Sequence, residues 1–159
     1  PVVVPPELTC SDFTVQGNTT TTLPPGTYCY RNLTISGGAT FTASGDVTVY
    51  ITGELKASGN STTGVAADSR RMIILMSGGT EATLEEGTIS GSTEFYGALY
   101  GPNVTMKISG NATIYGSVIA KKVDLSGNAE IHYDEALADE TQITNLYQTV
   151  LLSWRELVE

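Results

Sequence analysis

Between residues 88 and 133 the apolar and polar positions of this chain return in nearly the same order. Ile89-Ser90-Gly91-Ser92 comes back as Ile108-Ser109-Gly110-Asn111, and again as Leu125-Ser126-Gly127-Asn128. Phe95-Tyr96-Gly97-Ala98-Leu99 comes back as Ile114-Tyr115-Gly116-Ser117-Val118, and Val104 as Val123. The Ser-Gly pairs stand 19 and then 17 residues apart, which places two extra residues near Thr105 to Lys107. A unit this short cannot bury a core by itself. It must stack on its neighbours, the physical meaning of a solenoid.

The same punctuation runs upstream. Ser-Gly occurs seven times, at 36, 44, 58, 77, 90, 109 and 126. Glycine lets the backbone turn a corner with positive φ, and the serine hydroxyl can cap the turn. Between the corners lie short apolar runs. Val47, Val49 and Ile51 alternate with Thr48 and Tyr50, the period of a strand with one face inward. Met72-Ile73-Ile74-Leu75-Met76 is apolar throughout and fits a strand buried on both faces. Corners recurring at 17 to 22 residues, as from 36 to 58, 58 to 77, 90 to 109 and 109 to 126, predict an all-β chain: a parallel β-helix, or β-solenoid, of about five short coils over residues 33–133. Successive coils would lie about 4.8 Å apart.

Stacking the repeats on one another assigns the faces. Phe95, Gly97 and Leu99 fall inside, under Ile114, Gly116 and Val118, and Ile108 falls under Leu125. Outside, Tyr96 lies under Tyr115, Ala98 under Ser117, and Tyr100 under Ile119. Tyr96, Tyr100, Tyr115 and Ile119 therefore form a strip unusually apolar for a solvent face, and it is the predicted contact strip. Its expected cover is the C-terminal segment, a preceding helix or another subunit.

Two segments flank the coils. Residues 1–32 read as an N-terminal extended segment, with a turn at Pro24-Pro25-Gly26 leading into a strand. Residues 60–69 are small and polar and read as a protruding loop. From Asp134 onward Ile143, Leu146, Tyr147, Val150, Leu151, Trp154 and Leu157 follow a helical spacing. Residues 135–146 are expected to be helical, while 147–158 suit helix or strand. The stretch 134–159 is the expected cap, because a solenoid end is a row of unpaired backbone groups.

Composition narrows the function. Charged residues make up only 16% of the chain and the net charge is −9, with the cations scattered. Without a basic patch to neutralise phosphates, nucleic acid is not an expected partner. The acidic run Glu130, Asp134, Glu135, Asp139, Glu140 reads as a solvated face; it lacks the glycine and alternating aspartates of a calcium loop. Cys10 and Cys29 read as a disulfide, the alternative being two buried thiols. The bridge contributes about 3 kcal/mol in the chain-entropy model and implies an oxidising compartment. His132 is the only histidine and reads as a turn residue bonded to a nearby carboxylate. No catalytic residue, cofactor site or metal site is expected. Asp46, Glu54 and Asp68 are spread over different turns, and Glu85, Glu86 and Glu94 lie on a separate turn, so paired-carboxylate chemistry on carbohydrates has no visible basis. Asn-x-Ser/Thr occurs at Asn18, Asn32, Asn60, Asn103 and Asn111, positions that read first as turn residues. No run of 18 apolar residues spans a membrane, and Pro1 is expected to follow a removed or missing targeting segment.

Three stretches carry a resemblance: TYCYRNLTISGGATFTASGDVTVYITGELKASGN, FYGALYGPNVTMKISGNATIYGSVIAKKVDLSGNAEIHYDEAL and the terminal SWREL. Together they resemble the C-terminal domain of PilX-like proteins, associated with bacterial type IV pili. The resemblance covers roughly Pro24 to Glu156 and implies a right-handed β-helix carried behind a pilin-type hydrophobic helix. It further implies a non-enzymatic minor-pilin-like domain at the cell surface or pilus, meeting pilin subunits or other copies of itself. A glycan- or surface-binding adhesin is the alternative. Bactofilin β-helices are a more distant likeness, in architecture only.

The assigned register has a direct check. Ile114→Asp places an unpaired charge over Phe95 and should leave the chain unfolded. Circular dichroism should lose the β signature, and a normal melting transition would refute the register.

Overall fold

A computed structural model describes residues 2–78 and 86–139. The chain is all-β, a stack of parallel strands forming a β-solenoid of about six turns with almost no helix. Its strands are β1 (Ser11–Gln16), β2 (Thr20–Leu23), β3 (Gly26–Ser36), β4 (Thr40–Ala43), β5 (Val47–Ile51), β6 (Leu55–Ala57), β7 (Thr62–Gly64), β8 (Met72–Met76), β9 (Glu86–Ile89), β10 (Glu94–Ile108), β11 (Thr113–Leu125) and β12 (Glu130–Tyr133). Two short 3-10 turns occupy Ser69–Arg71 and Glu135–Asp139.

Three ladders wrap one core. The first runs through β1, the end of β3, β6, β9, and the ends of β10 and β11. The second runs through β2, β4, β7, the starts of β10 and β11, and β12. The third joins the start of β3 to β5, β8 and the middles of β10 and β11. Residues 11–32, expected as an extended lead-in, pair in register with the coils above. That adds a turn to the expected five. A rule that waits for Ser-Gly misses it, because this turn's corner is Gln16-Gly17-Asn18.

One corner column makes the coils superpose. Gly17, Gly37, Gly59, Gly91, Gly110 and Gly127 all have φ between 70° and 78°. They stand 20, 22, 32, 19 and 17 residues apart in sequence. At Gly91 (φ 75°) a Cβ would lie 2.5 Å from the carbonyl oxygen of Gly59 below. The position needs a residue that tolerates the left-handed region and has no side chain. Five of the seven Ser-Gly pairs supply this column. Ser44-Gly45 and Ser77-Gly78 serve other corners, where Ser44 N donates to Leu23 O and Ser77 N to Ile51 O. The 32-residue coil exceeds the expected spacing because it carries the loop around the first 3-10 turn and residues outside the described set.

The repeat register is confirmed residue by residue from Phe95↔Ile114 through Leu99↔Val118 to Tyr100↔Ile119. It departs at the next corner. Gly101 pairs with Ala120, but Thr105 pairs with Lys122, so the extra residues lie between 101 and 105. Met106, not Val104, lies against Val123. Val104 is fully buried at the bulge, with its side chain against the space above Gly101. Bulges of this kind re-aim side chains without ending the ladder.

Inward positions stack like on like. Leu33, Leu55, Met106 and Ile35, Ala57, Ile89, Ile108 fill the first face, and Val49, Ile74, Leu99 the third; all are buried. Met72–Met76 is hydrogen-bonded on both sides, by β5 and β10, and its four buried members explain the unbroken apolar run. Phe13, Tyr30 and Phe41 close the base, with ring centroids 5.0 to 6.4 Å apart. The Cys10–Cys29 disulfide ties the entering chain to the same end. At the far end Val123, Leu125 and Ile131 are exposed although they hold inward positions. The expected loop at 60–69 is smaller than read: Thr62–Gly64 is strand, leaving Val65 to Asp68. Of the expected helix 135–146 the structure describes Glu135–Asp139, as a 3-10 turn; residues 147–158 lie outside the described residues.

One core position breaks the apolar rule. Thr63 is fully buried between Phe41 and Phe95 in the second-face column, and its Oγ1 has no hydrogen-bond partner. Thr63→Val keeps the β-branched shape and removes the stranded hydroxyl, so it should raise stability by about 1 kcal/mol. Urea unfolding should move to a higher midpoint with unchanged slope.

Candidate functional site

The predicted contact strip divides between two faces. Phe95-Tyr96 closes the second face, Gly97 turns the corner, and Ala98-Leu99-Tyr100 opens the third. The next coil repeats this with Ile114-Tyr115, Gly116 and Ser117-Val118-Ile119. Gly97 (φ 159°) and Gly116 (φ 148°) are needed because a Cβ at either would run into the backbone of the coil below. Tyr96 and Tyr115 therefore belong to one outer column, and Tyr100 and Ile119 to another.

On the second face Tyr96, Tyr115 and His132 stack as a three-ring ladder. Tyr96 and Tyr115 lie 4.9 Å apart at 9°, and Tyr115 and His132 5.2 Å apart at 14°. The coil spacing imposes this: identical outward positions sit one rung apart, close to the distance at which rings stack. Tyr115 has a ring on each side, whereas Tyr96 has Gly64 below it and His132 ends the ladder. A sugar stacking on an aromatic needs a free face, and Tyr115 has none. His132 stands in strand β12 and not in the expected turn, and its Nε2 lies 3.0 Å from Glu130 Oε2, the expected carboxylate partner. Tyr96 donates to Glu94 Oε2 at 3.0 Å. Burial of the phenol, and then that hydrogen bond to a carboxylate, push its pKa up to about 12.

The ladder is one wall of a cleft of about 710 Å³, completed by the loop at Ala66–Arg70 and the chain from Tyr133 to Ala136. The loop is held by its own charges. Asp68 accepts from the backbone N and Nε of Arg70 at 3.1 and 2.8 Å, and Arg71 Nε lies 3.6 Å away. The Arg70 hydrogen bond holds the Asp68 carboxyl below the usual carboxylate range. Ser69 is buried and donates through Oγ to Asp134 Oδ2, and Asp134 Oδ1 accepts from Ala136 N at 3.0 Å. These bonds fasten the end of β12 to the loop of a lower coil. They also engage both Asp134 oxygens.

On the third face the outer residues form two columns. Ile73, Ala98 and Ser117 make one, and Cys29, Tyr50, Leu75, Tyr100 and Ile119 the other. Leu137, in the second 3-10 turn, is fully buried against Ile73 and Ala98, with Leu75 alongside. The chain thus covers the middle of the strip itself. Tyr100 and Ile119 stay half-buried beside this cover. The sequence signal that could have found Leu137 is its place as the one large apolar residue between Asp134 and Glu140. Glu94 as partner of Tyr96 could be read from alternation, since residues two apart in a strand share a face.

No cluster of three or more His, Cys, Asp or Glu side chains placed to hold a metal occurs among the described residues. No helix of the described residues is long and apolar enough to cross a membrane.

Stacked parallel coils with in-register outer columns define this protein as a β-solenoid domain. Residues 39–140 match the domain of unknown function DUF7305, and with well over half of its length matched the chain belongs to that family. The match leaves out the first coil, with its disulfide. No curated protein and no solved structure matches the chain.

The shifted phenol gives a measurable pH effect. Folded Tyr96 keeps its proton where the unfolded chain, with the ordinary tyrosine value of 10.0, has lost it. Its contribution to stability is present below pH 10 and is lost as pH rises toward 12. The phenolate absorbance difference between the native protein and Tyr96→Phe should titrate near 12, and Glu94→Gln should bring it down.

Proposed function

We propose that this chain is a non-enzymatic structural domain carried outside the cell by a pilus-associated, minor-pilin-like protein. It serves there as a stiff surface for assembly or adhesion. The observation that carries the reading is the stack of parallel strands from Ser11–Gln16 up to Glu130–Tyr133, tied at its base by the Cys10–Cys29 disulfide. A stack of parallel rungs bends little, because bending must open hydrogen bonds along a whole ladder. A disulfide persists where the surroundings are oxidising. The pilus part rests on the motifs FYGALYGPN, SGNATIYGSVIAK and HYDEAL, which resemble PilX-like domains.

Pilin subunits or other copies of the chain are the proposed partners, and Tyr100 with Ile119 the proposed contact. That column is apolar, in register and beside the Leu137 cover. The contact works by burying apolar surface, worth about 25 cal/mol per Å². No cofactor enters this reading.

The test uses the producing cells. Intact cells should expose the chain to added protease, sheared pilus fractions should contain it, and alkylation should find no free thiol. Tyr100→Glu with Ile119→Glu should deplete it from the sheared fraction at unchanged melting temperature. Free thiols together with protection from protease on intact cells would falsify the extracellular assignment.

A further inference from the structure

The corner after the glycine column carries a second column that the contact surface does not use. In the six turns its residues are Asn18, Gly38, Asn60, Ser92, Asn111 and Asn128. Asn60 N donates to Gly37 O, Ser92 N to Gly59 O, Asn111 N to Gly91 O and Asn128 N to Gly110 O, which fixes the stacking. The amide of Asn18 occupies the space a Cβ on Gly38 would need. All four asparagines are exposed.

Two residues further on, the chain enters the second face, where Thr20, Thr40, Thr62, Glu94, Thr113 and Glu130 hold one outer column. Superposing the two columns gives Asn18-Thr19-Thr20, Asn60-Ser61-Thr62 and Asn111-Ala112-Thr113: the acceptor pattern Asn-x-Thr at the same place in three turns. The fourth asparagine, Asn128, has Glu130 where the threonine should be, so the molecule contains its own control.

We propose that Asn18, Asn60 and Asn111 are N-glycosylated, giving the solenoid one sugar-bearing edge. The donor is a lipid-linked oligosaccharide. Asn Nδ2 forms a bond to the anomeric carbon, the bond from that carbon to the lipid phosphate oxygen breaks, the phosphate keeps the electron pair, and one amide hydrogen leaves as a proton. The pattern needs its hydroxyl two residues on and an exposed acceptor, and it marks surface positions in exported chains. The folded geometry accepts the product at these sites. Asn111 uses only its Oδ1, accepting from Asn128 Nδ2 at 3.1 Å.

The other two Asn-x-Thr triplets differ. Asn32 has both ends of its amide engaged: Nδ2 donates to Asp12 Oδ1 at 3.0 Å and Oδ1 accepts from Glu54 N at 2.9 Å. Asp12 is also paired with Arg31 at 2.7 Å. A sugar there would have to push between these groups. Asn103 stands in the bulge with Val104 buried behind it, outside the column.

The inference rests on the export reading, and one experiment separates the two. The protein is taken from the surface of the cells that make it and mapped by peptide mass spectrometry. Glycan mass is expected on the peptides holding Asn18, Asn60 and Asn111, and none on Asn32 or Asn128. Thr62→Val should abolish the increment at Asn60 alone without moving the melting curve. Unmodified asparagines on a surface-exposed protein with an oxidised disulfide overturn the glycosylation and leave export standing. Free thiols on a chain held inside the cell overturn both. Equal modification at Asn32 overturns the role of the folded geometry.

Discussion

Every turn of this molecule must bring its backbone back to one corner, directly above the turn before. Six glycines with φ near 70° occupy that corner, and a methyl group on Gly91 would reach 2.5 Å from the Gly59 carbonyl oxygen. The ladder hydrogen bonds on either side form only if the corners superpose, because parallel strands lock to their neighbours at evenly spaced bonds. The constraint is local to the corner. Elsewhere a turn can lengthen, as the 32-residue turn between Gly59 and Gly91 does, provided the extra chain leaves and rejoins the ladder in register. The bulge at residues 102–104 is the small version of the same freedom.

Side chains inherit the superposition. Inward columns fill with aliphatics, and each turn supplies what it cannot bury alone. Outward columns put like on like as well, which is why Tyr96, Tyr115 and His132 stack at about 5 Å. That stacking decides the character of the face. The middle ring, Tyr115, is covered on both sides and offers its edge and hydroxyl instead of flat apolar surface. Together with the Asp134 bonds to Ser69 and Ala136, it makes the cleft a fastened seam between turns. The Tyr100 and Ile119 column carries no adjacent pair of rings and stays half-buried beside the Leu137 cover.

Much of this was legible from the chain. The pairing of Phe95 with Ile114 and of Tyr100 with Ile119 follows from aligning two copies of one repeat, since a residue's neighbour in a solenoid is its own counterpart. The reading failed where repeats stop being copies. Val104 and Val123 look equivalent, yet the two-residue bulge puts Met106 against Val123. The first turn was missed because Gln16-Gly17-Asn18 turns the corner without a serine. The contact strip was read as one surface because alternation alone does not say that Gly97 and Gly116 bend it around an edge.

By itself the sequence determined the architecture: period, corner residues, inward columns and the disulfide pair are all properties of spacing and residue type. The tertiary structure decided what the surface is. Leu137 returning onto Ile73 and Ala98, the engagement of both Asp134 oxygens, and Asn32 pinned while Asn111 stays open all join residues distant along the chain. A repeat specifies contacts between equivalent positions. Contacts between non-equivalent positions depend on how the closed coil is curved, and that exists only once the turns have stacked.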